Sequence, residues 1–214
     1  MRKLLALFVF VFFAVVLPSP AREFATSSIC NTMANNLVMN CGFEMGNFDF
    51  WTQAGPGGTG YPYTGVVSFG SYVPVNSGSY SAFLGPGITN VLGVPQDSTL
   101  SQTIRDIPGA TYMLSFYVGN YGTCCPNNFS AQWDNLTLLT LTDVGDQPYT
   151  EYTYLGLTGT GSDTLTFTTM QQNWAFGLDD VFVIGETPEP VSMLLMGTFL
   201  SLAGGLLSKK KQAV

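Results

Sequence analysis

An all-β fold of two packed antiparallel sheets is what this 214-residue sequence predicts, on three observations. Runs of β-branched and aromatic residues are short and broken by Gly, Pro and Asn. Apolar and polar residues alternate inside several of those runs, and nowhere between residues 22 and 186 is a 3.6-residue apolar period sustained. The runs place ten strands at 36–40, 66–69, 79–84, 99–104, 111–118, 130–133, 136–141, 149–157, 164–169 and 176–184. Ten strands in a single domain of about 165 residues suit two sheets packed face to face.

Within 111–118, Tyr112, Leu114, Phe116 and Val118 occupy every second position, and Leu165 and Phe167 alternate with Thr164, Thr166 and Thr168. One face of each strand is therefore core and the other is wet. The last run differs. Leu178, Phe182 and Ile184 fall on one side and Val181 and Val183 on the other, so it belongs in the middle of the sandwich. Asp179 and Asp180 interrupt it, and a strand's period of two sends their carboxylates to opposite faces. A buried carboxylate needs a partner, for which the composition offers Arg105 or a bound cation. Trp51 and Trp174 read as core residues.

Both chain ends differ from this pattern. Arg2 and Lys3 precede 14 apolar residues, 4–17, and Pro18-Ser19-Pro20-Ala21 follows with small residues where a signal peptidase reads, so 1–21 is expected to be a secretory signal cleaved after Ala21. At the other end 18 uncharged residues, 191–208, make a helix roughly 27 Å long, close to a bilayer core of about 30 Å. Lys209, Lys210 and Lys211 are expected to stay on the cytoplasmic side as its basic end, 209–211. The remaining chain divides into a linker, 22–34, and a sandwich domain, 35–186.

Pro188-Glu189-Pro190, the apolar helix and the basic cluster, in that order, resemble the PEP-CTERM sorting signal of Gram-negative bacteria that make exopolysaccharide. The resemblance covers residues 187–214. It implies export across the inner membrane, transient anchoring by the tail and cleavage near the triplet by an exosortase-type protease, leaving the domain in the envelope or outside the cell. The basic cluster is lysine where the family more often has arginine.

Between residues 22 and 189 fourteen acidic residues face only Arg22 and Arg105, a net charge of −12. That field repels nucleic acid and anionic polymers and attracts divalent cations or basic partners, and it excludes nucleic acid as a partner. All four cysteines, Cys30, Cys41, Cys124 and Cys125, lie in the exported part, where disulfides form. Pairing the adjacent Cys124 and Cys125 with each other would need a strained ring. The expected bridges therefore run from Cys30 and Cys41 to the Cys124 loop. Metal binding by the thiols lacks both a histidine and a CxxC pair.

The stretch NLVMNCGFEMGNFDFW, residues 36–51, resembles the opening of jelly-roll domains related to carbohydrate-binding modules. SGSYSAFLG, LSQTIRDIPGATYMLSFYVGN and FGLDDVFVI match later strands of the same group in order, and Cys41 stands where the group has glycine. The resemblance implies a jelly roll of the galactose-binding-like kind over residues 35–185. It also implies a structural calcium beside Glu44 and Asp179 or Asp180, completed by backbone carbonyls. The competing reading has Glu44 accepting backbone hydrogen bonds in its turn and the aspartate paired with Arg105.

The chain has no histidine, so neither a Ser-His-Asp nor a Cys-His arrangement can be built. A glycoside hydrolase would need two carboxylates at a cleft, and Glu151, the glutamate inside a strand, is expected to face solvent. Sugar binding needs exposed aromatic faces ringed by hydrogen-bonding groups. Tyr61, Tyr63 and Tyr72 in a Gly- and Pro-rich stretch, and Tyr121 before the Cys124 loop, are the candidates, each with partial burial as its alternative. The expectation is a non-enzymatic exported sandwich associating with extracellular polysaccharide. A structural or adhesive protein that binds other proteins is the competing class.

Overall fold

The computed structural model describes residues 27–55, 64–68, 73–85, 97–122, 126–171 and 174–186. The expected leader, the sorting tail with Pro188, Glu189 and Pro190, and Tyr61, Tyr63, Tyr72, Cys124 and Cys125 lie outside them. Within them a short helix, α1 (Ile29–Thr32), precedes β1 (Thr52–Ala54), β2 (Thr64–Ser68), β3 (Tyr80–Leu84), β4 (Ser98–Ile104) and β5 (Thr111–Asn120). β6 (Asn127–Trp133), β7 (Leu136–Thr142), β8 (Gln147–Thr158), β9 (Asp163–Gln171) and β10 (Phe176–Gly185) follow. They form two five-stranded antiparallel sheets, ordered β1-β4-β9-β6-β7 and β2-β3-β10-β5-β8.

Alternation sets the core. Along β6 and β9 every second residue is buried, which turns Phe129, Ala131, Leu165 and Phe167 inward. They meet Leu114, Phe116 and Val118 of β5 from the opposing sheet. Phe116 packs edge-on against Phe167 at 5.0 Å between ring centroids, and Phe129 lies 5.5 Å from Phe176. Each such ring, fully buried, contributes roughly 1.5–3 kcal/mol.

As expected, β10 sits in the middle of its sheet, and its residues from Phe176 to Val183 are all buried. Its facing departs from simple alternation. Register with β5 shifts between Asp179 and Phe182, where one extra residue bulges out with Asp180 at φ 49°. The bulge puts Leu178, opposite Val118, on the same face as Val183, opposite Leu114, while Phe182 and Ile184 take the other face. Strict alternation had grouped Leu178 with Phe182 and Ile184.

Nine of the expected runs are strands, but 36–40 is not. This segment lies beside the C-terminal half of β10, beyond the point where β3 stops pairing at Leu178. Its contacts are isolated: Leu37 N donates to Val183 O, Val181 N to Cys41 O, and Val183 N to the Asn36 side chain. A carboxamide standing in for a carbonyl, with Asn40 at φ 49°, breaks the ladder. β1, only three residues long, gave no sequence signal.

Candidate functional site

The linker expected at 22–34 is, in its described part, built into the fold. Cys30 is disulfide-bonded to Cys41, 11 residues away, so the expected bridges from these cysteines to the Cys124 loop are not formed. The short link follows from α1, which turns the chain back at once so that Cys30 is fully buried under the first turn. Ser28 gives its hydroxyl to Asp180 Oδ1 at 2.6 Å, and Cys30 N donates to the same oxygen at 3.2 Å. Gly42 is required beside them, because a Cβ there would overlap the Ser28 side chain.

The bulge also corrects the expectation that Asp179 and Asp180 face opposite ways. Both reach the loop before β3. Asp179 Oδ2 accepts Asn76 N at 2.9 Å and Ser77 N at 3.3 Å, and Asp180 Oδ2 accepts Asn76 Nδ2 at 2.8 Å and Ser77 Oγ at 2.6 Å. Asp179 Oδ1 accepts its neighbour's amide, Asp180 N. Both residues are fully buried. Arg105 is not their partner, being exposed at the end of β4. Burial, then the adjacent Asp180 charge, pushes Asp179 up to about 9 against the pull of the three amides.

Glu44 holds the next residues of the same loop, accepting Ser79 N at 3.0 Å and Tyr80 N at 3.1 Å. Gly78, at φ 72°, leaves the space that its carboxylate fills. Calcium takes about six to eight oxygen ligands. Here the groups around all three carboxylates present N–H and O–H donors, so the donor set does not fit a calcium shared by Glu44, Asp179 and Asp180. Among the described residues no group of three or more acidic, Cys or His side chains is placed to hold a metal ion. Glu44 does accept backbone hydrogen bonds, as the competing reading has it, but from Ser79 and Tyr80 and not from its own turn, so the carboxylates act as acceptors tying the first turn and the last strand to one loop.

Tyr121 is half-buried. Its ring meets the Tyr149 ring edge-on at 5.8 Å beside the cluster of Val73, Phe83 and Ala175, and burial raises its hydroxyl to about 12. It is packed into the outer face of the second sheet and does not stand free as a platform. Trp51 is core, but Trp174, expected there too, is 40% exposed with φ 89°. Glu151 is exposed, as expected, and accepts the Ser115 hydroxyl at 2.8 Å.

An open cleft of about 540 Å³ brings together residues that the sequence did not single out as a site. Leu37, Met39 and Phe50 make its apolar wall, and Thr52, Gln102, Thr103 and Arg105 its polar one. Phe50 is 57% exposed at φ 71°, a conformation that an aromatic residue adopts only when its surroundings impose it. They do. Asn40 Nδ2 ties Asn47 O at 2.9 Å and Asp49 O at 3.1 Å, Asn47 Oδ1 accepts Asp49 N, and Trp51 is anchored in the core. Gln102 fixes the opposite side by bonding both Met39 N and Met39 O. The ring is thus held outward beside hydroxyl and guanidinium groups.

At one end of the first sheet lies a third cluster of carboxylates. Asp106 Oδ1 accepts Gly161 N, whereas its buried Oδ2 meets no donor. Burial and then a hydrogen bond to Asp163 raise Asp106 to about 6, so below that pH it carries a proton toward Asp163. Burial opposes ionisation of Asp163, but bonds from Asp106, Thr160 and Asp134 hold it at about 2. Asp134, facing the same group, is raised by burial and by its bond to Asp163. A folded-state value above the ordinary 3.8 means that Asp106 contributes stability below about pH 4 that is lost as pH rises through 6. Asp106→Asn, a permanent donor, is expected to remove the Asp106 part of the decline between pH 4 and 6, leaving the parts due to Asp134 and Asp179. At pH 7 it should stabilise by about 1 kcal/mol after solvent screening. Urea midpoints across that range check this, and an unchanged slope would refute it.

Comparison with known proteins gives a fold. No protein-family model matches the chain, and no curated protein does. Among solved structures, TmCBM61 in complex with β-1,4-galactotriose is similar at a TM-score of 0.56 and 18% identity, covering 72% of this chain and 100% of that one. This chain is a jelly-roll sandwich. The K1 cleaved adhesin domain of Lys-gingipain from Porphyromonas gingivalis W83 is similar at 0.50 and 16% identity, over 68% of this chain and 96% of that one. The enzymatically active domain of bacteriophage CBA120 tailspike protein 4 gives 0.50 and 19% identity over 71% of this chain, which spans only 21% of that chain.

Proposed function

We propose that this protein is an exported, non-enzymatic envelope or matrix protein whose jelly roll associates weakly with carbohydrate. A signal peptide at 1–21 starts its export, and the PEP-CTERM tail, 187–214, directs sorting and exosortase-type processing. Mass spectrometry of the mature protein reports both ends, and a chain that keeps its leader and its tail overturns this routing.

The observation that carries the binding reading is the outward-held Phe50 ring in the cleft beside Thr52, Thr103 and Arg105. A flat apolar face next to hydrogen-bonding groups suits a pyranose, which presents C–H on its faces and hydroxyls at its rim. The module in complex with β-1,4-galactotriose has the same fold, which makes the proposal natural without supplying the ligand. Phe50→Ala is expected to weaken glycan binding at least tenfold while leaving the urea midpoint nearly unchanged, since the ring is mostly exposed. A glycan array with the mature domain tests the proposal. Binding to no glycan, with protein partners captured instead, makes the sandwich an adhesive module.

A further inference from the structure

The cleft's free hydrogen-bonding groups are unbalanced, and the imbalance selects a class of saccharide. Gln102, the amide in the lining, has its oxygen on Met39 N at 2.7 Å and its nitrogen on Met39 O at 2.9 Å. Thr52 and Thr103 offer hydroxyls, and Arg105 offers five N–H donors and no acceptor. Among the described residues no carboxylate lines the cleft. Among the described side chains a neutral sugar hydroxyl that must donate finds the threonine oxygens there, whereas a group that only accepts finds a planar fork of donors.

Charge points the same way. Of the seven basic residues, Arg2, Lys3, Arg22, Lys209, Lys210 and Lys211 lie outside the described residues, so Arg105 is the basic side chain among those described. It is exposed. Asp106, next in sequence, turns away to Gly161 and Asp163. Asp49, next to Phe50, accepts a hydrogen bond from Asn47 Nδ2 at 3.1 Å. With a Debye length of about 8 Å at physiological salt, carboxylates farther away than that are screened at the cleft while contact with Arg105 is not. Resting on the carbohydrate reading above, we infer that the Phe50–Arg105 cleft takes a saccharide bearing a carboxylate, a uronic acid residue. Its ring lies against Phe50 and Met39, and its carboxylate bonds the Arg105 guanidinium in bidentate fashion. The net charge of −12 over residues 22–189 further favours chains with spaced uronates over dense polyanions.

The test compares a glucuronate-containing oligosaccharide with the same oligosaccharide after chemical reduction of its carboxyl group to the neutral hexose. Calorimetry on the mature domain is expected to show at least tenfold tighter binding of the acidic form. Arg105→Gln should erase that preference by weakening the acidic form at least tenfold more than the reduced form, whereas Phe50→Ala should weaken both. Equal binding of the two forms by the wild type, or an equal loss of both in Arg105→Gln, overturns the uronate assignment while leaving carbohydrate binding standing. Binding of neither form by the wild type overturns this inference, and binding of no glycan at all overturns the carbohydrate reading beneath it.

Discussion

Asp180→Ala is expected to destabilise the domain by about 3 kcal/mol or more. The side chain accepts four hydrogen bonds, from Ser28 Oγ, Cys30 N, Asn76 Nδ2 and Ser77 Oγ, and is itself fully buried. Removing it takes the acceptor from three buried residues, Ser28, Cys30 and Ser77, and from the half-buried Asn76, and each buried group left unsatisfied costs about 1–3 kcal/mol before relaxation. Water entering the space and relief of the charge beside Asp179 offset part of that cost. A second contribution is the backbone, because Asp180 sits at φ 49°, where a Cβ without a local hydrogen bond costs about 1–2 kcal/mol. Asp180→Gly should therefore be less damaging than Asp180→Ala by about that amount. Asp180→Asn keeps the left-handed tolerance and one acceptor, while Ser77 can rotate to accept, so its loss should be about 1 kcal/mol. Guanidinium unfolding of the three variants checks the order Ala, Gly, Asn. An Ala variant within 1 kcal/mol of wild type would show that the bulge does not hold the first turn.

The same series carries a pH signature. Asp179, raised to about 9 by burial and by Asp180, lends stability that is present below the ordinary carboxylate range and lost as pH rises through 9. Asp180→Asn removes the second of those causes. Its stability should accordingly fall less steeply toward alkaline pH than that of wild type.

The parts of the fold carried by local alternation were legible in the sequence. Leu165 and Phe167 among threonines, and Tyr112, Leu114, Phe116 and Val118, announce their strands because the signal lies within each run. The central place of β10 was legible from its continuous apolar run for the same reason. What was not legible depends on residues far apart in the chain. One bulge residue reversed the facing of Leu178, and nothing in LDDVF marks which aspartate will take positive φ. Segment 36–40 has the composition of a strand, yet the Asn36 carboxamide takes the place of a backbone group beside Val183. The cleft was hidden similarly. Phe50 reads as one aromatic of NFDFW until the clamp from Asn40, seven and nine residues away from its partners, fixes it outward. The carboxylates Glu44, Asp179 and Asp180 were read from the sequence as calcium ligands, whereas the donors around them belong to a loop whose placement no motif encodes.

Replacing both Cys30 and Cys41 by Ala is expected to cost about 3 kcal/mol, the chain entropy that closing an 11-residue loop removes from the unfolded state. The bond does more than close a loop. It fixes α1, whose preceding residue Ser28 and own residue Cys30 both donate to Asp180, so release of the staple also frees the chain that covers the bulge. The two perturbations should therefore couple. The Cys pair combined with Asp180→Asn should destabilise less than the sum of the separate losses, by about 1 kcal/mol, since each removes part of what the other holds. Reducing agent should reproduce the effect in wild type, lowering its urea midpoint to that of the Cys30→Ala, Cys41→Ala variant and leaving the variant's own midpoint unmoved. Strict additivity of the double cycle would show that the staple and the buried aspartate act independently. In that case residues 27–41 would be a tethered arm, with the closing of the sandwich resting on β10 and its neighbouring strands.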